Sequence, residues 1–300
     1  MAVGKRDDIT LVLPTYNRAE ALRLNLPSML AMQDVAEVIV VDDGSSDDTP
    51  QVCAQFSADP RLRIIRHELN RGVPAARNTG LSAATGGWVL FGEDDCRFPT
   101  DYATVLRAEA SRHSADILGA PLLHVPGTVE QIAAIAATAP RVDEPSMEDV
   151  GSFPRQALET PFLPARALVR RSVFEQVRFD DGFLVNAYRE ETDFFVQAAR
   201  AGFRCLFTGE TYCYQFGNWD GGAHQSSTLR YEYWAARNNW RFLNRHGAWL
   251  IEQGYIRSRT ASQARFILQR IAIVLRGATR SRISRAVALV THGPDRGLEH

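Results

Sequence analysis

Lysine is almost absent from this 300-residue chain, in which Lys5 is the single lysine among 34 basic side chains. The bias towards arginine indicates a GC-rich genome rather than a function. Long apolar runs are absent as well: no stretch of about 18 apolar residues occurs, so we expect no transmembrane helix. The apolar part of the N-terminal segment MAVGKRDDITLVLP is too short for a signal peptide, and we expect none.

Several familiar motifs are also missing. The four cysteines show neither CxxC spacing nor a secreted disulfide framework, which predicts reduced thiols in a cytosolic protein. No GxGxxG follows the first predicted strand and no GxxxxGK[ST] occurs, so a dinucleotide-binding fold and a P-loop NTPase are both disfavoured. The formal net charge of −1 gives no sign of a nucleic-acid partner. With 45% hydrophobic residues, the chain has ordinary globular composition.

Short apolar runs alternate with helical patterns along the first two thirds of the chain. Such alternation predicts an α/β fold with an open, mostly parallel central sheet flanked by helices. In sheets of this kind, ligands bind at the carboxyl ends of the strands. The predicted strands are residues 9–14, 38–41, 62–67, 89–91, 116–125, 162–171, 203–207 and 212–216.

The segment VLFGEDDCRFP places Glu93, Asp94 and Asp95 directly after a buried strand. Because side chains alternate along an extended strand, Glu93 and Asp95 are expected to project to one side and Asp94 to the other. Three adjacent carboxylates repel one another unless a cation lies among them. Mg²⁺ or Mn²⁺ would suit such oxygen ligands. The alternative is an acidic turn that is simply solvated.

Further polar clusters lie at other predicted strand or helix ends. PTYNR ends the first strand, and DDGSSDD, with Asp42 and Asp43, ends the second; these two acids bind a ligand or cap the following helix. Glu190 and Glu191 begin a helix, where they serve as a general base or merely favour the positive helix terminus. His224 is a third metal ligand, a diphosphate contact or a solvated loop residue.

Five motifs together resemble glycosyltransferase family 2: PTYNR, VIVVDDGSSDDT, NRGVPAARNTG, LFGEDD and YREETDFFVQAARAG. They occur in the family's order and approximate spacing over residues 9–245. The resemblance implies a GT-A fold and an inverting, metal-dependent transfer of a sugar from a nucleotide-diphosphate donor, such as a UDP-, GDP- or dTDP-sugar, to an acceptor hydroxyl. It also implies Mn²⁺ or Mg²⁺ as cofactor and a role in polysaccharide, glycolipid or glycosylated-metabolite synthesis.

The resemblance also assigns residues. It implies a donor-binding set consisting of Pro14, Thr15, Tyr16, Asn17, Asp42, Asp43, Arg77 and Asp94. Asp95 and Glu93 match the ends of the family's DxD motif and are the expected metal ligands, with His224 as a third candidate. Glu191 matches the catalytic base, with Glu190 beside it raising the apparent pKa of the pair. The family more often has aspartate where this chain has Glu93 and Glu191, which affects metal preference and the reach of the base.

The predicted organisation has two parts and a short tail. Residues 1–224 form a GT-A catalytic domain, with a nucleotide-sugar half over 1–125 and an acceptor half over 126–224, and residues 225–297 form a helical extension. Residues 298–300 are interpreted as the remnant of an affinity tag. Between Arg257 and Arg285 there are eight arginines and no acidic residue. This basic segment contacts an anionic membrane surface, forms a homo-oligomer contact, or is a solvated face. We expect the protein to be cytoplasmic. If the segment does contact a membrane, we expect the protein to bind peripherally to the inner face of the cell membrane.

Two rival functions remain open at this point. A sugar nucleotidyltransferase also combines such a sheet with nucleotides and Mg²⁺, but it normally has a glycine-rich basic loop after the first strand, where this chain has PTYNR. A catalytically silent nucleotide-sugar-binding protein would need neither Glu93 and Asp95 nor Glu191, all of which are present.

Overall fold

The computed structural model describes residues 8–125, 132–143, 151–216 and 228–291, the last range without side chains beyond residue 275. The chain divides into two compact units, Met1–Gln225 and Ser226–His300. His224, one of the predicted site residues, lies outside the described residues.

The first unit alternates strands and helices. Its helices are α1 (Ala19–Leu30), α2 (Thr49–Gln55), α3 (Val73–Ala83), α4 (Tyr102–His113), α5 (Ile132–Thr138) and α6 (Glu190–Arg200), with a 3-10 helix at Arg171–Glu175. Its strands are β1 (Ile9–Thr15), β2 (Val35–Asp42), β3 (Leu62–Arg66), β4 (Trp88–Phe91), β5 (Cys96–Arg97), β6 (Ile117–Gly119), β7 (Leu122–Val125), β8 (Arg141–Val142), β9 (Phe153–Pro154), β10 (Leu158–Glu159), β11 (Leu168–Arg170), β12 (Cys205–Phe207) and β13 (Cys213–Phe216).

Eight of these strands form one sheet in the order β10-β12-β6-β11-β4-β1-β2-β3. The pairs from β4 to β3 are parallel, whereas β11 runs antiparallel to both of its neighbours. The predicted α/β architecture is confirmed, with a parallel half that carries the first motifs and a mixed half beyond it. Side chains of strands β1, β2 and β4 belong to both of two hydrophobic clusters, so apolar side chains cover both faces of the sheet at these strands.

Two predicted strands differ from the structure. Of residues 162–171, only Leu168–Arg170 forms a strand, β11, and Arg171 already belongs to the 3-10 helix. Residues 116–125 form not a single strand but two, since β6 belongs to the large sheet and β7 to a separate sheet with β13 and β5. Pro121 lies between them and has no N–H to donate to a strand neighbour, which favours a break at this point.

Helix α3 packs closely on the sheet at Gly80. A Cβ atom at this position would collide with the Val12 side chain of β1 and come within 3.3 Å of Val41 of β2. Glycine therefore allows a close approach of helix to sheet. The same helix carries Arg77, whose position depends on this contact.

The second unit consists of the helices α7 (Thr228–Glu252) and α8 (Arg259–Thr291). Arg270 donates to both carboxylate oxygens of Glu232 at 2.6 and 2.7 Å. Gln263 accepts a hydrogen bond from Asn239 at 2.7 Å. None of the helices in the described part of the chain is both long enough and apolar enough to span a bilayer.

Candidate active site

The acidic segment after β4 is a turn. The Cys96 amide donates to the Glu93 carbonyl at 3.1 Å, which closes the turn across Asp94 and Asp95. The prediction that these acids alternate along an extended strand is therefore wrong, because the chain leaves the sheet at Phe91. The expected proximity is nevertheless present: one carboxylate oxygen each from Glu93 and Asp95, together with the Cys96 sulfur, lie within 4.8 Å of one another.

This group of atoms fits a divalent cation. Its two carboxylates are the oxygen ligands that Mg²⁺ and Mn²⁺ prefer. The pKa of the Cys96 thiol is well above its ordinary value, because of its interaction with Cys213 and its burial. The thiol therefore stays protonated at neutral pH, and the carboxylates are the ligands the turn offers.

Asp94 connects the acidic turn to the end of β1 and to α1. The Thr15 hydroxyl donates to the Asp94 carboxylate at 2.8 Å, and the Asn25 amide donates to the Asp94 carbonyl at 2.9 Å. Burial, and after it the negative charge of Asp95, raise the pKa of Asp94 to about 7. The structure thus brings together Thr15 and Asp94, two residues of the predicted donor-binding set.

Three buried arginines surround the turn. Arg18 Nη1 lies 3.5 Å from Asp95 Oδ2, Arg77 Nη2 lies 3.6 Å from Glu93 Oε1, and Arg166 pairs with the other oxygen of Glu93. Each of the three arginines is at most 7% exposed. The positive charge that the acidic segment requires is therefore supplied in part by the protein. Arg18 was visible as the last residue of PTYNR, whereas no sequence signal marked Arg166.

Arg77 also pairs with Glu190, the first residue of α6. Both residues are 2% exposed, and the guanidinium lies over the rings of Phe91 and Phe179 at 5.8 and 5.3 Å. Burial raises the pKa of Glu190 to about 8, since the loss of water outweighs the attraction of Arg77. One Glu190 oxygen has no hydrogen-bond partner among the residues that the structure describes. Arg77 thus links the acidic turn to the start of α6.

Glu191 lies at this helix start with a different environment. Its side chain is partly exposed, and no cation pairs with it within the described ranges. An unpaired carboxylate that solvent can reach is able to accept a proton. Glu190, by contrast, is enclosed, so the two neighbouring acids that were both predicted as catalytic differ in access.

Asp42 and Asp43 are buried, and each accepts hydrogen bonds from neighbouring backbone amides; among the described residues Oδ2 of Asp42 has no hydrogen-bond partner and lies 3.2 Å from Arg66 Nη1. Asp43 accepts hydrogen bonds from the amides of Arg71 and Gly72 at 2.9 and 2.7 Å, and it lies 2.6 Å from His67 Nδ1. Asp42 accepts from the Ser45 amide at 2.9 Å. These contacts shape the loops after β2 and before α3; the donor-binding role of both acids stays a prediction.

The remaining PTYNR residues form the end of β1 and the loop after it. Pro14 is buried within the strand, and Tyr16 is partly exposed. Asn17 adopts a left-handed conformation with φ of 51°, and its side-chain oxygen Oδ1 accepts from the Ser46 amide at 2.8 Å. This bond joins the first two motifs, as expected for loops at one edge of a parallel sheet.

Comparison with known proteins agrees with this arrangement. The model of the family described as "Glycosyl transferase family 2" matches residues 10–178. The chain is 29% identical over 220 residues to "Succinoglycan biosynthesis protein ExoO" of Rhizobium meliloti, covering 68% of this chain and 59% of that protein. It is 38% identical over 113 residues to "Glycosyltransferase GlyA" of Streptococcus pneumoniae, covering 37% of this chain and 16% of that protein. The chain thus spans less than two thirds of either relative.

Two solved structures share the fold. The mannosyltransferase PcManGT of Pyrobaculum calidifontis, in complex with GDP-Man and Mn²⁺, matches with a TM-score of 0.61 and 17% identity over 97% of this chain and 82% of that one. TarS of S. aureus, in complex with UDP-GlcNAc, matches with a TM-score of 0.57 and 19% identity over 83% of this chain and 75% of that one. These matches confirm the predicted GT-A fold. Because the family model covers more than half of its length, the chain belongs to glycosyl transferase family 2.

Proposed function

We propose that the protein is a metal-dependent, inverting glycosyltransferase that moves a sugar from a nucleotide-diphosphate donor to an acceptor hydroxyl. The observation that carries this proposal is the double contact of Arg77, which pairs with both Glu93 and Glu190. Through it, the carboxylates suited to a metal and the helix start with Glu191 lie on either side of one guanidinium. Family membership supports the same reaction class.

Glu93 and Asp95 are the residues that would hold Mn²⁺ or Mg²⁺. A divalent cation at the acidic turn supplies charge stabilisation to the departing nucleoside diphosphate. Thr15, whose hydroxyl donates to Asp94 in this turn, and the two residues after it, Tyr16 and Asn17, are the proposed contacts for the nucleotide. Relatives in fold bind UDP-GlcNAc and GDP-Man, so uracil and guanine nucleotides are the first donors to test.

Glu191 is the proposed general base. The acceptor hydroxyl must lose its proton as it attacks the anomeric carbon, and a carboxylate can accept that proton. Of the two acids at the start of α6, Glu191 is the one that solvent reaches. Attack from the face opposite the leaving diphosphate inverts the anomeric configuration.

The second unit is the proposed contact with an anionic membrane surface. Leu268, Ile271 and Leu275 are 66%, 50% and 61% exposed along one side of α8, and the segment from Arg257 to Arg285 carries no acidic residue. Apolar side chains together with arginines favour binding in the headgroup region. Deletion of residues 256–297 is expected to reduce co-sedimentation with anionic vesicles; self-association of the same face would instead appear as a homo-oligomer in light scattering.

The reaction is tested by incubating the protein with UDP-, GDP- and dTDP-sugars and Mn²⁺, and measuring the release of nucleoside diphosphate. We expect release from one nucleotide class, its loss in EDTA, and its loss in Asp95→Ala. A protein that binds a nucleoside diphosphate tightly but releases none from any donor would be a silent binding protein, and the proposed reaction would be wrong.

A further inference from the structure

Arg18 and Arg166 are buried charged groups whose hydrogen-bonding capacity is only partly used. Within the described part of the chain, Nε and Nη1 of Arg18, and Nε of Arg166, have no acceptor. Arg18 Nη1 reaches Asp95 at 3.5 Å without forming a hydrogen bond. Buried N–H groups without an acceptor are unfavourable, and those of a charged group are more so. Both side chains are at least nine-tenths buried and face the acidic turn.

The balance of charge indicates which ligand these arginines suit. Glu190 pairs with Arg77. The carboxylate nearest Arg18 is that of Asp95, and Arg166 pairs with Glu93. With a divalent cation on Glu93 and Asp95, the three arginines, the cation and the carboxylates of Glu93, Asp95 and Glu190 would sum to two positive charges, and an ionised Asp94 would reduce that sum to one. The diphosphate of a sugar nucleotide carries two negative charges and offers several acceptor oxygens. The guanidinium fork matches phosphate oxygens in geometry as well as in charge.

We propose that Arg18 and Arg166 bind the diphosphate of the donor, and that their ion pairs with Asp95 and Glu93 are the contacts they make before the donor arrives. This inference rests on the proposed function, because it assigns two further residues to the same donor site. On donor binding, each arginine would gain phosphate oxygens as acceptors, and Glu93 and Asp95 would be the residues that hold the cation.

Hydrogen bonds to side chains of other elements hold the backbone of both arginines in place, and this fixes the points from which the two guanidinium groups extend. The Arg18 amide donates to the Thr49 hydroxyl at 3.1 Å, and the Arg166 carbonyl accepts from the Tyr102 hydroxyl at 2.8 Å. Arg18 follows β1 and Arg166 precedes β11, two strands that flank β4. The two groups therefore approach the acidic turn from opposite sides, as a clamp on a diphosphate requires.

Calorimetry measures how tightly UDP and GDP bind to the wild type, to Arg18→Met and to Arg166→Met. Each measurement is made once with Mn²⁺ and once with EDTA. For whichever of the two nucleotides the wild type binds, each substitution is expected to weaken binding roughly 10- to 100-fold, the loss typical of a charged hydrogen bond. The loss should persist in EDTA. Arg107→Met, which removes the partly exposed ion pair with Asp34, is the matched control and should change affinity less than about 2-fold.

Two further measurements separate diphosphate binding from a purely structural role. Binding of the matching nucleoside, uridine or guanosine, should be unchanged in both variants, because it has no phosphate. Arg18→Lys and Arg166→Lys keep the positive charge next to the acids, so they preserve folding if the methionine variants unfold. The lysine variants should bind the nucleotide more weakly than the wild type, since an ammonium lacks the guanidinium fork.

Folded variants that bind UDP and GDP like the wild type would overturn the inference and leave the proposed function standing. Equal losses of nucleoside and nucleotide would also overturn it, because they indicate a collapsed pocket. A wild type that binds neither nucleotide would contradict both proposals. A wild type that binds a nucleotide through both arginines but transfers no sugar would contradict the function alone.

Discussion

Arg77 and Glu190 form a buried ion pair although they are 113 residues apart in the chain. The pair joins the middle of α3 to the first residue of α6, and the same guanidinium lies 3.6 Å from Glu93. The acidic turn and the helix that presents Glu191 therefore share one structural support.

Arg77→Met should destabilise the protein in a pH-dependent way. At pH 9 the substitution leaves an ionised, buried Glu190 without its partner, which costs roughly 3–5 kcal/mol of unfolding free energy. At pH 6 Glu190 takes up a proton and the loss is smaller. Arg77→Met with Glu190→Gln should recover much of the stability at pH 9. Urea unfolding measures all three; a loss that is the same at both pH values and in the double variant would contradict the role of the pair.

Wild-type stability should fall as the pH rises from about 5 to 8. Burial raises the pKa of Glu190 from 4.5 to about 8 and contributes to raising that of Asp94 from 3.8 to about 7, so the native state binds more protons than the unfolded state in this range. Each group contributes a slope of at most about 1.4 kcal/mol per pH unit. Glu190→Gln should flatten the decline, whereas Glu159→Gln, with a side chain 63% exposed, should not. Thermal unfolding across this range makes the comparison, and identical curves for the wild type and Glu190→Gln would refute it.

Asp95→Asn should remove the stabilisation of the protein by Mn²⁺. A metal that binds only the native state raises the unfolding temperature with the logarithm of its saturation, and Asp95 supplies one of the two carboxylates at the turn. Cys96→Ser is the control, because the protonated thiol is not expected to be a ligand. A thermal-shift titration in which Cys96→Ser loses the Mn²⁺ response, or Asp95→Asn keeps it, would reverse the assignment.

Gly80→Ala should destabilise the protein by about 1–3 kcal/mol, as expected for overpacking. The added methyl group collides with Val12 and forces α3 away from the sheet. Val12→Ala in the same chain should restore part of the stability by removing the obstructing atoms. If guanidinium unfolding shows the single and double variants to be equally unstable, steric conflict with Val12 is not the cause.

The sequence predicted the fold well because the strands of the parallel half are short, continuous apolar runs. Residues 9–14 and 38–41 fall within β1 and β2, and Pro50 lies in the first turn of α2. Periodicity could not predict the break between β6 and β7, because both are apolar and only pairing with different sheets separates them. The acidic residues directly follow an apolar strand and were predicted to continue it. They form a turn instead, closed by a backbone hydrogen bond from the Cys96 amide to the Glu93 carbonyl.

The candidate site was predictable where its residues follow strands and not where the chain brings distant residues together. Glu93, Asp95 and Glu191 stood out as acids at element ends. The partners of these acids did not, since Arg166 lies 73 residues from Glu93 and is one of many arginines in the chain. His67, which lies between Asp43 and Thr79 at 2.6 and 2.9 Å, was missed for the same reason.

The most direct test of the central claim is sugar transfer by Glu191→Gln, compared with the wild type, for the donor that the wild type consumes with Mn²⁺. If Glu191 is the general base, Glu191→Gln should bind the donor within about 2-fold of the wild type and transfer sugar roughly 100- to 10,000-fold more slowly. Transfer at the wild-type rate, or a loss of donor binding as large as the loss of transfer, would contradict the account.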